Sequence, residues 1–155
     1  MREIKLRGYA VEEMIDSQWI YGTGVHKTTF TDEYAKETGK KYEYLIWTEM
    51  GWVEVLGESI GQYTGLKDKN GKEIYENDIT YFNGSYCIVR FGEHGVPSIE
   101  DMEYVDMATG FYLEPQETIE PFNMTVPLNE HYSKDLIVIG NIYENPELLE
   151  QHHDN

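Results

Sequence analysis

The chain has few of the devices that staple a small protein from outside its core. It contains one cysteine in 155 residues, Cys87. No disulfide can form within it, and a cysteine-based zinc site is nearly excluded. Cys87 sits in an apolar, strand-like run without a partnered histidine in the pattern, so it reads as a small buried hydrophobe rather than a nucleophile. No apolar run approaches the length of a membrane span. The opening "MREIKLRGYAVEEM" is charged and lacks the apolar stretch of a secretion signal, so a reducing cytoplasm is the expected compartment. Cations are scarce: 12 Lys and Arg face 29 Asp and Glu, a net charge of -17. A field of that sign repels phosphate backbones and anionic lipid, which argues against direct contact with nucleic acid or a membrane. Its plain consequence is solubility. Its sharper consequence is a surface that mimics nucleic acid or docks on a basic partner.

Aromatic residues, by contrast, are plentiful: 13 Tyr, 5 Phe and 3 Trp. They supply burial that offsets chain entropy, and they favour strands. At this length one domain, or one with a smaller appendage, can bury a core unaided. "IKLRGYAV" alternates as a strand, with Gly8 as a bend. "QWIYGTGVHKTTF" reads as strand, turn, strand, and "YEYLIWTEMGWVEV" as two strands about a turn at Met50-Gly51. "TDEYAKETGKK" is the first helical candidate, with Thr31 or Asp32 as cap and Gly39 as stop. Asn70-Gly71 and Asn83-Gly84 are tight-turn signals. "SYCIVRFG" is the clearest buried strand. Between residues 93 and 132 the pattern is loops, with short strands at "MEYVDM", "GFYLEP" and "FNMTVP". "DLIVIG" is a further strand. Asn145-Pro146 then opens a short C-terminal helix, with Asn at the cap, Pro in the first position and Glu147 in the positive first turn.

Many short strands joined by glycine turns, with little helix, indicate a mainly β protein. The run "YENDITYFNGSYCIVRF" suits the first hairpin of an SH3-like small barrel, carrying additional hairpins and the short C-terminal helix. The expected organisation is an N-terminal β-rich segment over residues 1–58 packing on the barrel, the barrel domain over 59–150, and a frayed tail over 151–155.

The stretch "IGQYTGLKDKNGKEIYENDITYF" invites a ligand-site reading, and the spacings decline it. An EF-hand loop beginning at Asp68 and Asn70 would need its glycine at the sixth position; Gly71 falls at the fourth, and flanking helices are absent. "GKE" lacks both the upstream glycine and the Ser or Thr of a phosphate loop, and "GQYTG" is no dinucleotide fingerprint. Glu76 and Asp78 point the same way on a regular strand, and with Glu73 or Glu144 they are the candidate Mg²⁺ ligands. Set against that, Asp78 is placed to hold a turn by accepting backbone N–H bonds, which is the preferred reading. The five histidines, His26, His94, His131, His152 and His153, show neither paired nor His-Glu metallohydrolase spacing. No nucleophile elbow appears. No cofactor, no metal and no catalytic residue are therefore expected.

Two blocks are distinctive: "GQYTGLKDKNGKEIYENDI" over residues 61–79 and "IGNIYENPELL" over 139–149. With "REIKLR" near the start, they resemble the YopX family, small proteins carried by phages and prophages. The resemblance implies an SH3-type barrel with added β structure, a homo-oligomer, and no established activity. Gln62, Tyr63, Thr64, Gly65, Leu66, Asp68, Gly71, Tyr75, Glu76, Asp78, Asn141, Tyr143 and Glu144 carry over as signature residues only, with an interaction or structural role. Asn77 stands where the family pattern has glycine, so a turn with positive φ is expected there, kept by the residue that tolerates it best after glycine. The functional expectation is a non-enzymatic phage accessory protein that acts on a host or phage protein in the bacterial cytoplasm. The alternatives are a divalent-metal hydrolase or nuclease using Glu76, Asp78 and Glu144, and an acidic decoy that mimics nucleic acid.

Overall fold

A computed structural model of the chain describes residues 3–98, 100, 103–116 and 124–149. The tail expected to fray, residues 151–155 with His152 and His153, lies outside the described residues. The chain is mainly β, with its strands in three sheets, and divides into two compact units at Tyr63 and Thr64.

In the first unit, β1 (Leu6–Tyr9) pairs antiparallel with β2 (Trp19–Gly22) on one side and with the start of β6 (Gly61–Lys67) on the other. A separate sheet is built from β3 (Gly24–Thr29), β4 (Tyr42–Thr48) and β5 (Gly51–Val55) in that order. The expected β4–β5 turn is present, with Gly51 at φ 100. The two sheets meet where side chains are missing. A Cβ on Gly8 would lie 2.8 Å from the Ile46 side chain and 2.9 Å from Val55. Ile46 and Val55 can be buried there only because Gly8 has no side chain. The first helix, α1 (Asp32–Thr38), follows local chemistry. Thr31 Oγ1 accepts from the Tyr34 N–H, Asp32 and Glu33 occupy the positive first turn, and Gly39 closes it in the left-handed region at φ 75.

In the second unit, the end of β6 runs beside β7 (Glu73–Tyr75). The main sheet has the order β11-β10-β9-β8-β12. These strands are β8 (Asp78–Phe82), β9 (Ser85–Ser98), β10 (Glu103–Pro115), β11 (Val126–Pro127) and β12 (Ile137–Asn141). Asn83 at φ 49 and Gly84 at φ 82 make the β8–β9 turn. Its core joins Ile74, Phe82, Cys87, Val89, Phe111, Leu113, Leu136 and Val138. A short helix, α2 (Glu130–Ser133), is capped by Asn129 Oδ1, which accepts from the Tyr132 N–H.

Three expectations are corrected. The sheet keeps two edges, β11 and β12, and no closed barrel forms among the described residues. Only the mainly β part of the SH3-like expectation therefore stands. "MEYVDM" and "GFYLEP" are one strand, because Gly110 lies directly opposite Gly92 and the pair lets the ladder run on. Asn145 does begin a helical segment, with residues 147–149 helical, but its side chain is engaged elsewhere, as described below. No helix among the described residues is long and apolar enough to cross a membrane.

Candidate functional site

The "DKNG" loop is tied down by its own first residue. Asp68 is 6% exposed. Its Oδ1 accepts from the Asn70 N–H at 2.8 Å and the Lys72 N–H at 2.9 Å. Its Oδ2 reaches across the fold to accept from the Val138 N–H of β12 at 2.9 Å. Backbone bonds reinforce both connections: Lys69 N–H to the Leu136 carbonyl, Asp68 N–H to Lys72, and Gly71 N–H to Asp68. Gly71 supplies the positive φ of 82 that this tight loop needs. One carboxylate thus satisfies three backbone donors, and fixed N–H dipoles rather than a cation stabilise its burial.

A second acid holds the next turn. Asp78 is 1% exposed and its Oδ2 accepts from the Tyr75 N–H at 2.8 Å. Between them Asn77 adopts φ 75, the geometry expected of a glycine substitute. Asn77 donates its N–H to the Val89 carbonyl and accepts from the Ile142 N–H at 3.0 Å. Its Oδ1 accepts from Arg90 Nη1 at 3.4 Å. The two distinctive sequence blocks therefore meet here. β8 and β12 pair with Asp78 opposite Asn141 and Ile79 opposite Gly140.

Beyond the pairing, Asn141 organises the "IYEN" turn. Its Oδ1 accepts from the Tyr143 and Glu144 N–H groups, and its Nδ2 donates to Glu144 Oε1. Asn145 closes the exchange. It donates its N–H to the Asn141 carbonyl, and its Oδ1 accepts from the Asn141 N–H. Gly140 makes room for this. A Cβ there would lie 2.5 Å from Asn145 Oδ1.

Residues 7–150 match the family model described as YopX protein. The chain belongs to the YopX family. A crystal structure of protein EF1440 from Enterococcus faecalis is similar to it at 22% identity, over 96% of this chain and 99% of that one, with a TM-score of 0.43. No curated protein matches the chain in sequence.

The YopX signature residues fall in both units. Gln62 and Tyr63 lie on the start of β6 in the first. There Gln62 stands opposite Leu6, the Tyr63 N–H donates to the Lys5 carbonyl, and the Lys5 ammonium lies 5.3 Å from the Tyr63 ring centre. In the second unit Thr64 is buried and its Oγ1 donates to the Ile74 carbonyl at 2.8 Å. Gly65 has φ 86. Tyr75 is buried, with its hydroxyl 3.2 Å from Glu73 Oε1. Glu76 and Tyr143 are half-buried and Glu144 is exposed.

Glu76, Asp78 and Glu144 do not form a metal cage. Among the described residues no group of three or more His, Cys, Asp or Glu side chains is arranged to hold a metal ion. The arrangement converts two loops and a strand end into one hydrogen-bonded junction. Asn145 was legible only as a helix cap, because its bonds to Asn141 and its fit against Gly140 depend on how the turn between them folds. Arg90 carried no signal in the pattern at all.

Proposed function

We propose that this YopX chain is a non-enzymatic, phage- or prophage-encoded accessory protein that acts in the bacterial cytoplasm through protein–protein contacts, as a homo-oligomer. What carries the reading is how the signature residues spend their polar atoms. Asp68, Asp78 and Asn141 accept from backbone N–H groups. A catalytic carboxylate must instead face a substrate with its lone pairs available. The charge of -17 supports a protein partner over nucleic acid, and it favours a partner of opposite sign. The distinctive blocks thus build a hydrogen-bonded platform, and the contacts to a partner fall to the surface around it.

The test is affinity capture from bacterial lysate with the intact chain. It should recover a protein partner whose retention falls as salt rises. Recovery of no other protein, or a measured Mg²⁺- or Mn²⁺-dependent hydrolysis of nucleic acid, overturns the reading. The hydrolase alternative further requires that Mg²⁺ or Mn²⁺ raise the melting temperature and that Asp78→Asn abolish the rise. The present reading expects no such metal-dependent shift.

A further inference from the structure

The first unit carries a feature that the signature junction does not use. A cleft of about 630 Å³ opens there, within the range that suits a bound side-chain cluster or small ligand. Its walls include Met14, Trp19, Tyr21, Trp47, Met50 and Val53. Several of these present apolar surface to solvent: Met50 is 92% exposed and Trp47 46%. Ile4 lines the cleft and is exposed too, and Ile15 beside Met14 is fully exposed. A soluble protein rarely leaves so many large apolar side chains around one concavity without a use for them.

Charge names the occupant. Glu3 and Glu49 line the cleft and are exposed. The loop that supplies Met14 adds Glu12, Glu13 and Asp16, all exposed, and contains no Lys or Arg. That loop is held in shape by Gln18, whose Oε1 accepts from the Met14 N–H and whose Nε2 donates to the Ala10 and Glu12 carbonyls. The one basic side chain in the lining, Lys5, lies 3.9 Å from the Glu3 carboxylate. The cleft is therefore apolar and aromatic inside and acidic outside. Two flexible methionines allow it to adapt to the side chain it receives. That combination fits a peptide segment with apolar residues on one face and Lys or Arg on the other.

We propose that this cleft docks a basic amphipathic segment of a partner protein. The proposal rests on the reading of function given above and specifies where and by what chemistry the contact is made.

The test uses the full chain and a fluorescein-labelled Leu/Lys peptide of about 18 residues with helical period, long enough to form a helix on binding. Anisotropy should show saturable binding that weakens with salt. Met50→Ser and Glu49→Lys each weaken it, the former by about tenfold. Both residues are exposed, so neither change threatens the fold, and unchanged melting confirms this for each variant. Amide shifts on peptide addition should map to Trp19, Trp47 and Val53. Three outcomes overturn the proposal: no binding, affinity unchanged in both variants, or equal binding of a Lys/Ser peptide of the same charge pattern without leucines. Should the peptide experiment fail while lysate capture still recovers a partner, the cleft is removed and the reading of function survives.

Discussion

Replacing Asp68 by Ala tests whether the signature junction is structural. The substitution deprives three backbone donors of their acceptor at once. Two of them, the Asn70 and Lys72 N–H groups, belong to exposed residues, so water takes over and each loss costs about 0.5 kcal/mol, the low end for an intramolecular hydrogen bond. The third, the N–H of Val138, belongs to a buried residue, and an orphaned buried donor costs about 1–3 kcal/mol. Losing one negative charge from a chain of -17 returns a few tenths of a kcal/mol at most through weaker self-repulsion, roughly the scale of an exposed pair. The expected destabilisation is about 3 kcal/mol, a large share of the ~5–15 kcal/mol available to a typical domain. Asp68→Asn keeps one acceptor oxygen and turns an amide N–H toward a backbone N–H, so it should preserve one connection and lose the other, at about 2 kcal/mol. Urea unfolding must be followed by far-UV circular dichroism, because Trp19, Trp47 and Trp52 all lie in the first unit. Hydrogen exchange then resolves which connection opens. A change below about 1 kcal/mol, or a Val138 amide that exchanges no faster in Asp68→Ala, would refute the reasoning.

Three further outcomes follow from named contacts. Asn77→Gly should be neutral within about 0.5 kcal/mol, while Asn77→Val should cost at least about 2 kcal/mol in urea unfolding, because a β-branched residue resists φ 75. Gly140→Ala should destabilise by about 1–3 kcal/mol through the collision with Asn145 Oδ1, and combining it with Asn145→Ala should cost less than the sum of the two, as a double-mutant cycle would read. The hydrogen bond that Lys40 donates to Glu54 raises the Lys40 pKa above 10.5, assisted by the Glu54 and Glu43 charges and opposed by slight burial. A raised folded-state pKa means that the pair's stabilisation is complete below pH 10.5 and is lost as pH rises through the higher folded value. The stability gap between the parent and Lys40→Met should therefore be flat at neutral pH and close only in strong alkali. At pH 7 a gap well above ~1 kcal/mol would contradict the worth of a partly exposed surface pair.

What could be read from the residues alone was whatever local chemistry decides. Thr31 and Gly39 bracket α1 because a cap and a left-handed stop act within one turn. Asn83-Gly84 closes its hairpin for the same reason. The positive φ at Asn77 was legible from the family pattern. The long β9–β10 hairpin was not, since Gly92 and Gly110 each look like a break until they are seen paired across the ladder. The helix α2 is a single turn, too short for periodicity to reveal. The barrel expectation failed because a hairpin pattern is local, whereas closure depends on which strands, distant in sequence, end as edges. Asp68 was singled out correctly as a distinctive residue, but its partner Val138 is 70 positions away and no spacing rule connects them.

That separation has a consequence for how the protein comes into being. During synthesis the Asp68 carboxylate leaves the ribosome long before the amide it must meet. β8 likewise emerges as an edge strand and stays one until β12 pairs with it. The second unit can therefore close only once β12 has emerged, at the entropic cost of a long loop. A chain that stops before residue 136 would leave one Asp68 oxygen without its β12 donor and a strand edge open, which is the state from which β proteins aggregate. The two blocks are thus bound by an order of events: the first is made early and stays open until the second arrives.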